Sequence, residues 1–235
     1  MCRLRCWFNN KVAPASELGQ CSTCFAARFA ERLCLSGACD TRFFKGGCAS
    51  RFFMATIARD NPCLFITSVA HDRLPVFRTD ALKKIVCAAL DEARRSGGFA
   101  IFAYVIMAEH LHIITDGALK PSDTLRFLNG ISSRRVIGYL KQNNYTTSLA
   151  KLRDAPKARG HTHSLWDGHS QALPLYSESF FMQRVNYIHK NPVRAGLVER
   201  AEDYLWSSVR CWNQWPREDE PLLVDLDKIA WRKPR

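Results

Sequence analysis

Hydrophobic and polar positions divide the chain into a stretch with no period and a stretch with two. Over residues 1–53 the apolar residues, scattered arginines and cysteines follow neither a period of 2 nor one of 3.6. From residue 63 the pattern sharpens. Cys63–Ala70 is an apolar, β-branched run and predicts a strand. Ala81, Leu82, Ile85, Val86, Ala89, Leu90 and Ala93 then recur at helical spacing, with Asp80 placed to cap the first turn and Gly97-Gly98 to end the helix. Phe99–Met107 and His110–Thr115 predict two strands joined by a tight turn at Ala108-Glu109. Leu125, Leu128, Ile131, Val136, Ile137 and Leu140 predict a second helix, opening at Pro121-Ser122-Asp123 and running to about Gln142. Residues 143–162 are polar and read as loop, and Ser164–Asp167 and Leu173–Tyr176 as short edge-strand or loop pieces. Phe180, Phe181, Val185 and Ile188 give the stripe of a third helix from Ser177. It is expected to end before Pro192, because proline disfavours a helical residue ahead of it. Pro192 then opens a short helix closed by Gly196. Trp206–Arg210 predicts a last helical turn, and residues 213–235 read as a loose, proline-containing tail.

The order strand, helix, strand, strand, helix, strand-like piece, helix predicts an α+β domain. It is the order of the ferredoxin-like split βαβ fold, an antiparallel sheet with helices on one face. Three segments follow: a poorly structured, Cys-rich extension over 1–53, with Met54 the expected biological start; the domain itself over 54–212; and the tail 213–235.

Charge points to a partner. The chain carries 34 Lys and Arg against 22 Asp and Glu, a net charge of +12. That favours an anionic partner, nucleic acid before acidic membrane. No apolar run reaches the roughly 18 residues that span a bilayer, and Cys, Asn and Gly interrupt any N-terminal leader core. The expectation is a cytoplasmic protein with no membrane attachment. Of the ten cysteines, seven fall in the first 48 residues. Cys21-Ser22-Thr23-Cys24 is a CxxC, yet no second pair follows at zinc-finger spacing. A structural zinc protein with an inert second domain is therefore the weaker reading.

The chemistry gathers in two places. In a strand, alternate side chains share a face, so His110 and His112 project together while Leu111 points the other way. Two imidazoles on one face make half a divalent-metal site, or else two ordinary polar-face histidines. Tyr187 and Asn191 share a helix face at i and i+4. They are a nucleophile and a hard oxygen ligand, or else a half-buried core aromatic and a helix cap. His161-Thr162-His163 repeats the His-x-His spacing in a polar, loop-like setting and reads as a decoy. His189 is about 200° round the helix from Tyr187 and should face away from it. Arg126, Arg134, Arg135, Lys141, Lys190 and Arg194 are available to phosphates, although each alone reads as a solvated charge. Trp166 and Trp206 either stack on unpaired bases or belong to the core.

Tyr104–Ile114 (YVIMAEHLHII) and Tyr187–Ser208 (YIHKNPVRAGLVERAEDYLWSS) closely resemble the Y1 transposases of the HUH superfamily. The resemblance is greatest to their REP-associated tyrosine transposase branch and covers about residues 60–212. It implies a ferredoxin-like enzyme, monomer or homodimer, that cuts single-stranded DNA beside small palindromic hairpins. It implies that His110 and His112 bind the metal, Mg²⁺ or Mn²⁺, with Asn191 completing the site. Tyr187 is implied to be the nucleophile that forms a 5′-phosphotyrosine. The chain departs from the family at Ala108-Glu109, where many members have Pro-Asn. Glu109 thus becomes an extra carboxylate near the metal and, with a metal-bound water as the alternative, a candidate acceptor for the tyrosine proton. The segment 143–176 is also long. The competing reading is a non-cutting nucleic-acid-binding protein derived from a transposase.

Overall fold

The computed structural model describes residues 55–57, 62–154, 162–168 and 170–230, within a unit that runs Arg51–Arg235. The expectations for residues 1–53, including the Cys21/Cys24 pair and the Met54 start, lie outside the described residues.

Four strands form one antiparallel sheet: β2 (Cys63–Val69), β3 (Ile101–Ile106), β4 (His110–Thr115) and β5 (Gln171–Leu175). Their spatial order is β3-β4-β2-β5. The first sheet strand, β2, therefore lies between the third and fourth, the interleaving that defines the split βαβ fold. A separate short pair, β1 (Ala55–Thr56) and β6 (Ile229–Ala230), runs parallel. Helix α1 (Asp80–Gly97) links β2 to β3, and α2 (Pro121–Gln142) and α3 (Thr146–Asp154) lie between β4 and β5. Helix α4 (Glu178–Arg194) follows β5.

The alternation of β2 assigns the two faces of the sheet. Ser68 donates to Asn129 Oδ1 of α2 at 2.8 Å, so the Ser68 side carries α2, against which α1 packs. Phe65 and Thr67 point the other way, where α4 lies. The central strand β4 and the edge strand β3 are both buried almost throughout.

Several elements differ from the sequence expectation. The cap of α1 is Thr79, whose side chain accepts from Leu82 N at 3.4 Å, and Asp80 is the first helical residue. Gly98 ends this helix at φ 69°, a left-handed turn that glycine enters without strain. The segment 143–162, read as loop, contains α3. Its apolar signal is confined to a few residues in a polar run, and Leu152 is fully buried. Helix α4 does not stop before Pro192 but continues to Arg194. A proline inside a helix loses its own N–H bond and crowds the carbonyl of the preceding turn, a cost that packing can offset. Here its ring is buried, and the N–H groups of Ala195 and Leu197 bond to the carbonyls of Asn191 and Pro192 at 3.0 Å. The last short helix, α5, is Val209–Trp212. Residues 213–230, read as a loose tail, pack on the domain, with Leu222 and Ile229 buried. No helix among the described residues is long and apolar enough to cross a membrane.

Candidate active site

The β3–β4 turn is tied down from three sides. Met107 N donates to His110 O, Phe77 N to Ala108 O, and Ala70 N to Glu109 O, each at 2.8 Å. The start of β4 is thereby fixed, and with it the two histidines. Their rings lie on one face, 4.9 Å between centroids and steeply inclined at 69°. Leu111, between them, is buried on the other side of the sheet.

Each imidazole is held by its Nδ1. His110 Nδ1 lies 3.0 Å from Glu109 Oε1. A carboxylate only accepts, so the imidazole donates. His112 Nδ1 lies 2.9 Å from Thr67 Oγ1, its partner across the β2–β4 ladder. Neither Nε2 has a hydrogen-bond partner among the described residues. Phe65 stacks on the His112 ring, centroids 5.4 Å apart. His112 is buried, and burial together with neighbouring His110 and Arg184 pushes its pKa down to about 3. It is thus a neutral imidazole with a lone pair, the form that ligates metal.

Helix α4 brings the tyrosine. Ser177 caps it by accepting from Phe180 N at 3.3 Å. Phe181, Val185 and Ile188 fill the core. Phe180, Arg184, Tyr187 and Asn191, spaced by four, three and four, form a neighbouring stripe. The Tyr187 ring meets His112 edge-on, 5.3 Å between centroids, and meets Phe65 in the same manner at 6.1 Å. Arg194 lies over its other side at 5.2 Å. Asn191 is half-buried one turn beyond. His189 points elsewhere: its Nε2 is 3.0 Å from Ser208 Oγ, and burial lowers its pKa to about 3.

His110, His112, Glu109 and Tyr187 thus come together, although α4 is far from β4 in the chain. The predicted phosphate contacts divide. Lys190 and Arg194 are exposed on α4. Arg126, Arg134, Arg135 and Lys141 are on α2, across the sheet. Arg134 and Arg135 both pair with Glu92, at 3.3 and 2.8 Å. Arg126 pairs with Asp123 at 3.4 Å. Arg126, Arg134 and Lys141 line a groove of about 1020 Å³ with Phe127 and Ile137. His163 lines this groove too, so the decoy is remote from the paired histidines; its companion His161 lies outside the described residues. Trp166 and Trp206 are core residues, with their indole N–H groups on Ser132 Oγ and Asp80 Oδ1 at 3.0 and 2.9 Å. Sequence reasoning missed Thr67, Phe65 and Arg184. Only Arg184 left a local signal, one turn before Tyr187.

Among the described residues no three His, Cys, Asp or Glu side chains group to hold a metal. The donors that converge are two imidazoles. They fit a divalent cation, because each Nδ1 is occupied and each Nε2 is not. Hydrogen bonding through the second nitrogen, to carboxylate or hydroxyl, is how proteins orient metal-ligating histidines.

No protein-family model and no curated protein matches the chain. Among solved structures, it is similar to a REP-associated tyrosine transposase bound to a REP hairpin, at 18% identity and a TM-score of 0.48, over 70% of this chain and 87% of that one. It is also similar to a protein of Deinococcus radiodurans assigned as a transposase, at 18% identity and a TM-score of 0.38, over 55% of this chain and 90% of that one. At such identities the likeness is one of backbone course, and no residue role is carried across from either.

Proposed function

We propose that this protein is a metal-dependent single-strand DNA endonuclease and strand transferase. It acts beside small palindromic hairpins through a 5′-phosphotyrosine on Tyr187. The observation that carries the reading is the convergence of His110, His112 and Tyr187 on one sheet face, at 4.9 and 5.3 Å between successive rings. A core aromatic has no need of two imidazoles beside it whose Nε2 atoms are unpaired.

His110 and His112 would hold Mg²⁺ or Mn²⁺ through Nε2, with the Asn191 amide oxygen as the hard ligand. A bound cation polarises a nonbridging phosphate oxygen and neutralises charge as it develops. The protein's own groups do the rest. Thr67 and Glu109 fix the two ring orientations. Phe65 closes one side of the site to water. The Tyr187 oxygen forms a bond to phosphorus while the bond from phosphorus to the 3′ oxygen breaks. A phenol keeps its proton at neutral pH, so that proton must leave, and Glu109, bonded to His110, is the carboxylate assigned to take it. The departing 3′ oxygen takes up a proton. A 3′-hydroxyl attacking the phosphotyrosine reverses the step and joins strands without another energy source.

The test uses single-stranded oligonucleotides from both strands of the DNA flanking the gene. They are incubated with Mn²⁺ or Mg²⁺ and resolved on denaturing gels. A covalent adduct is expected, absent in Tyr187→Phe and in EDTA. An adduct that survives Tyr187→Phe moves the nucleophile to Tyr139, Tyr145 or Tyr176. Hairpin binding with no adduct supports the non-cutting alternative.

A further inference from the structure

Arg184 lies one helical turn before Tyr187. Its guanidinium sits between two rings, 5.1 Å from the centroid of Phe65 and 4.9 Å from that of Phe180. Phe65 is the ring that stacks on His112 and meets Tyr187. The guanidinium is therefore fixed in the wall of the candidate site. Its Nε is buried with no hydrogen-bond partner, and no carboxylate pairs with it among the described residues. Aromatic faces hold a guanidinium plane but accept none of its in-plane N–H bonds. A buried donor left unmatched is costly, and folds keep few of them without a use. The arginine fork matches the oxygens of a phosphate.

We infer that Arg184 binds a phosphodiester of the single-stranded nucleic acid and positions it for Tyr187. Its part in cutting rests on the function proposed above; its part in holding the anion does not. Arg184 neither gives nor takes a proton. It donates N–H bonds to nonbridging oxygens while the Tyr187–phosphorus bond forms and the phosphorus–3′ oxygen bond breaks.

The full chain is compared with Arg184→Gln and Arg184→Lys, each also on a Tyr187→Phe background. Binding of fluorescent single-stranded DNA is measured in EDTA on that background, so that no chemistry intervenes. A set of the same oligonucleotides carries one neutral methylphosphonate linkage at each position in turn. At one linkage the neutral substitution should weaken binding about tenfold with Arg184 present, the loss expected for a charge-assisted hydrogen bond. Arg184→Gln should bind normal DNA about as weakly and show no further loss at that linkage. Arg184→Lys should recover part of the binding. With Tyr187 restored and Mn²⁺ added, adduct formation by Arg184→Gln should slow by about 10²-fold or more. An unchanged methylphosphonate profile in Arg184→Gln overturns the inference, whether or not that variant melts earlier. So does a parent protein that tolerates the neutral linkage everywhere. If the profile shifts as expected but no protein forms an adduct, the covalent reading fails and the phosphate site stands.

Discussion

At the scale of single residues, the candidate site depends on an orientation that the sequence does not display. Thr67 sits on β2 and His112 on β4, and only the antiparallel register brings Oγ1 to 2.9 Å from Nδ1. A cation on Nε2 requires the hydrogen on Nδ1, with Thr67 as acceptor. Thr67→Val keeps the shape and removes that acceptor. Mn²⁺ affinity should fall by about 10- to 100-fold, the usual cost of removing such a partner. Stability should fall by only about 1 kcal/mol, because one hydrogen bond is removed. Calorimetric Mn²⁺ titration in the presence of DNA, alongside a urea melt, separates the two effects. Unchanged affinity would mean that stacking on Phe65 alone orients His112. The His110/His112 pair was legible in the sequence because strand alternation is a local property. Helical spacing likewise put Tyr187 and Asn191 on one face, but it left their roles open, and only the packing of α4 brings the Tyr187 ring to His112. Thr67 and Phe65 were not, since a cross-strand neighbour follows from register. Trp166 and Trp206 were ambiguous until burial put both in the core.

At the scale of elements, the segment after α5 acts as a strap, not a tail. Arg210 and Glu220 form a two-pronged ion pair at 3.1 and 2.7 Å, with side chains only 6% and 1% exposed. Arg210 also donates to the carbonyls of Glu202, Tyr204 and Leu205. Further on, Asp225 accepts from Ile101 N at the start of β3 at 3.0 Å, and from Arg94 of α1 at 2.9 Å. The strap thus closes around the edge strand β3, which the preceding segment already meets at Ser207 and Ser208. Glu220→Gln should destabilise the fold by about 3–5 kcal/mol, because Arg210 stays buried and charged with its counter-charge gone. Urea unfolding should show a lower midpoint at unchanged slope. A decrease under about 1 kcal/mol would show that the carbonyls alone satisfy Arg210. The sequence hid the strap because its polar, proline-containing run has no period. Tertiary pairing holds it, where local propensity would not. The same reason concealed α3 and let α4 pass through Pro192. In contrast β2, α1, β3, β4 and α2 follow patterns set by strong amphipathic or apolar periodicity.

At the scale of the whole molecule, the basic side chains among the described residues lie on surfaces that cannot serve one phosphate. Lys190 and Arg194 share the helix of Tyr187, whereas Arg126 and Lys141 lie on α2 across the sheet. A nucleic acid that reaches both must extend well beyond the scissile linkage, as a hairpin with a single-stranded flank would. Binding and chemistry should therefore respond separately. Arg126→Glu with Lys141→Glu should weaken binding of a hairpin substrate and flatten its salt dependence by about 0.7–0.9 in log–log slope for each phosphate no longer neutralised. The adduct rate at saturating DNA should stay within about twofold, since substitutions that remove uniform binding leave the bound-state barrier alone. Arg194→Glu should lower that saturated rate as well, because the guanidinium lies 5.2 Å from the Tyr187 ring centroid. Adduct kinetics across a range of DNA concentrations and two salt concentrations would read both quantities. Equal slowing by both charge reversals at saturation would place the α2 groove in the chemistry, and the two-face division would fall. Unaltered binding by the α2 variant would instead confine the DNA to the α4 side. The α2 arginines would then be what their pairing with Glu92 and Asp123 already makes of them, surface ion pairs.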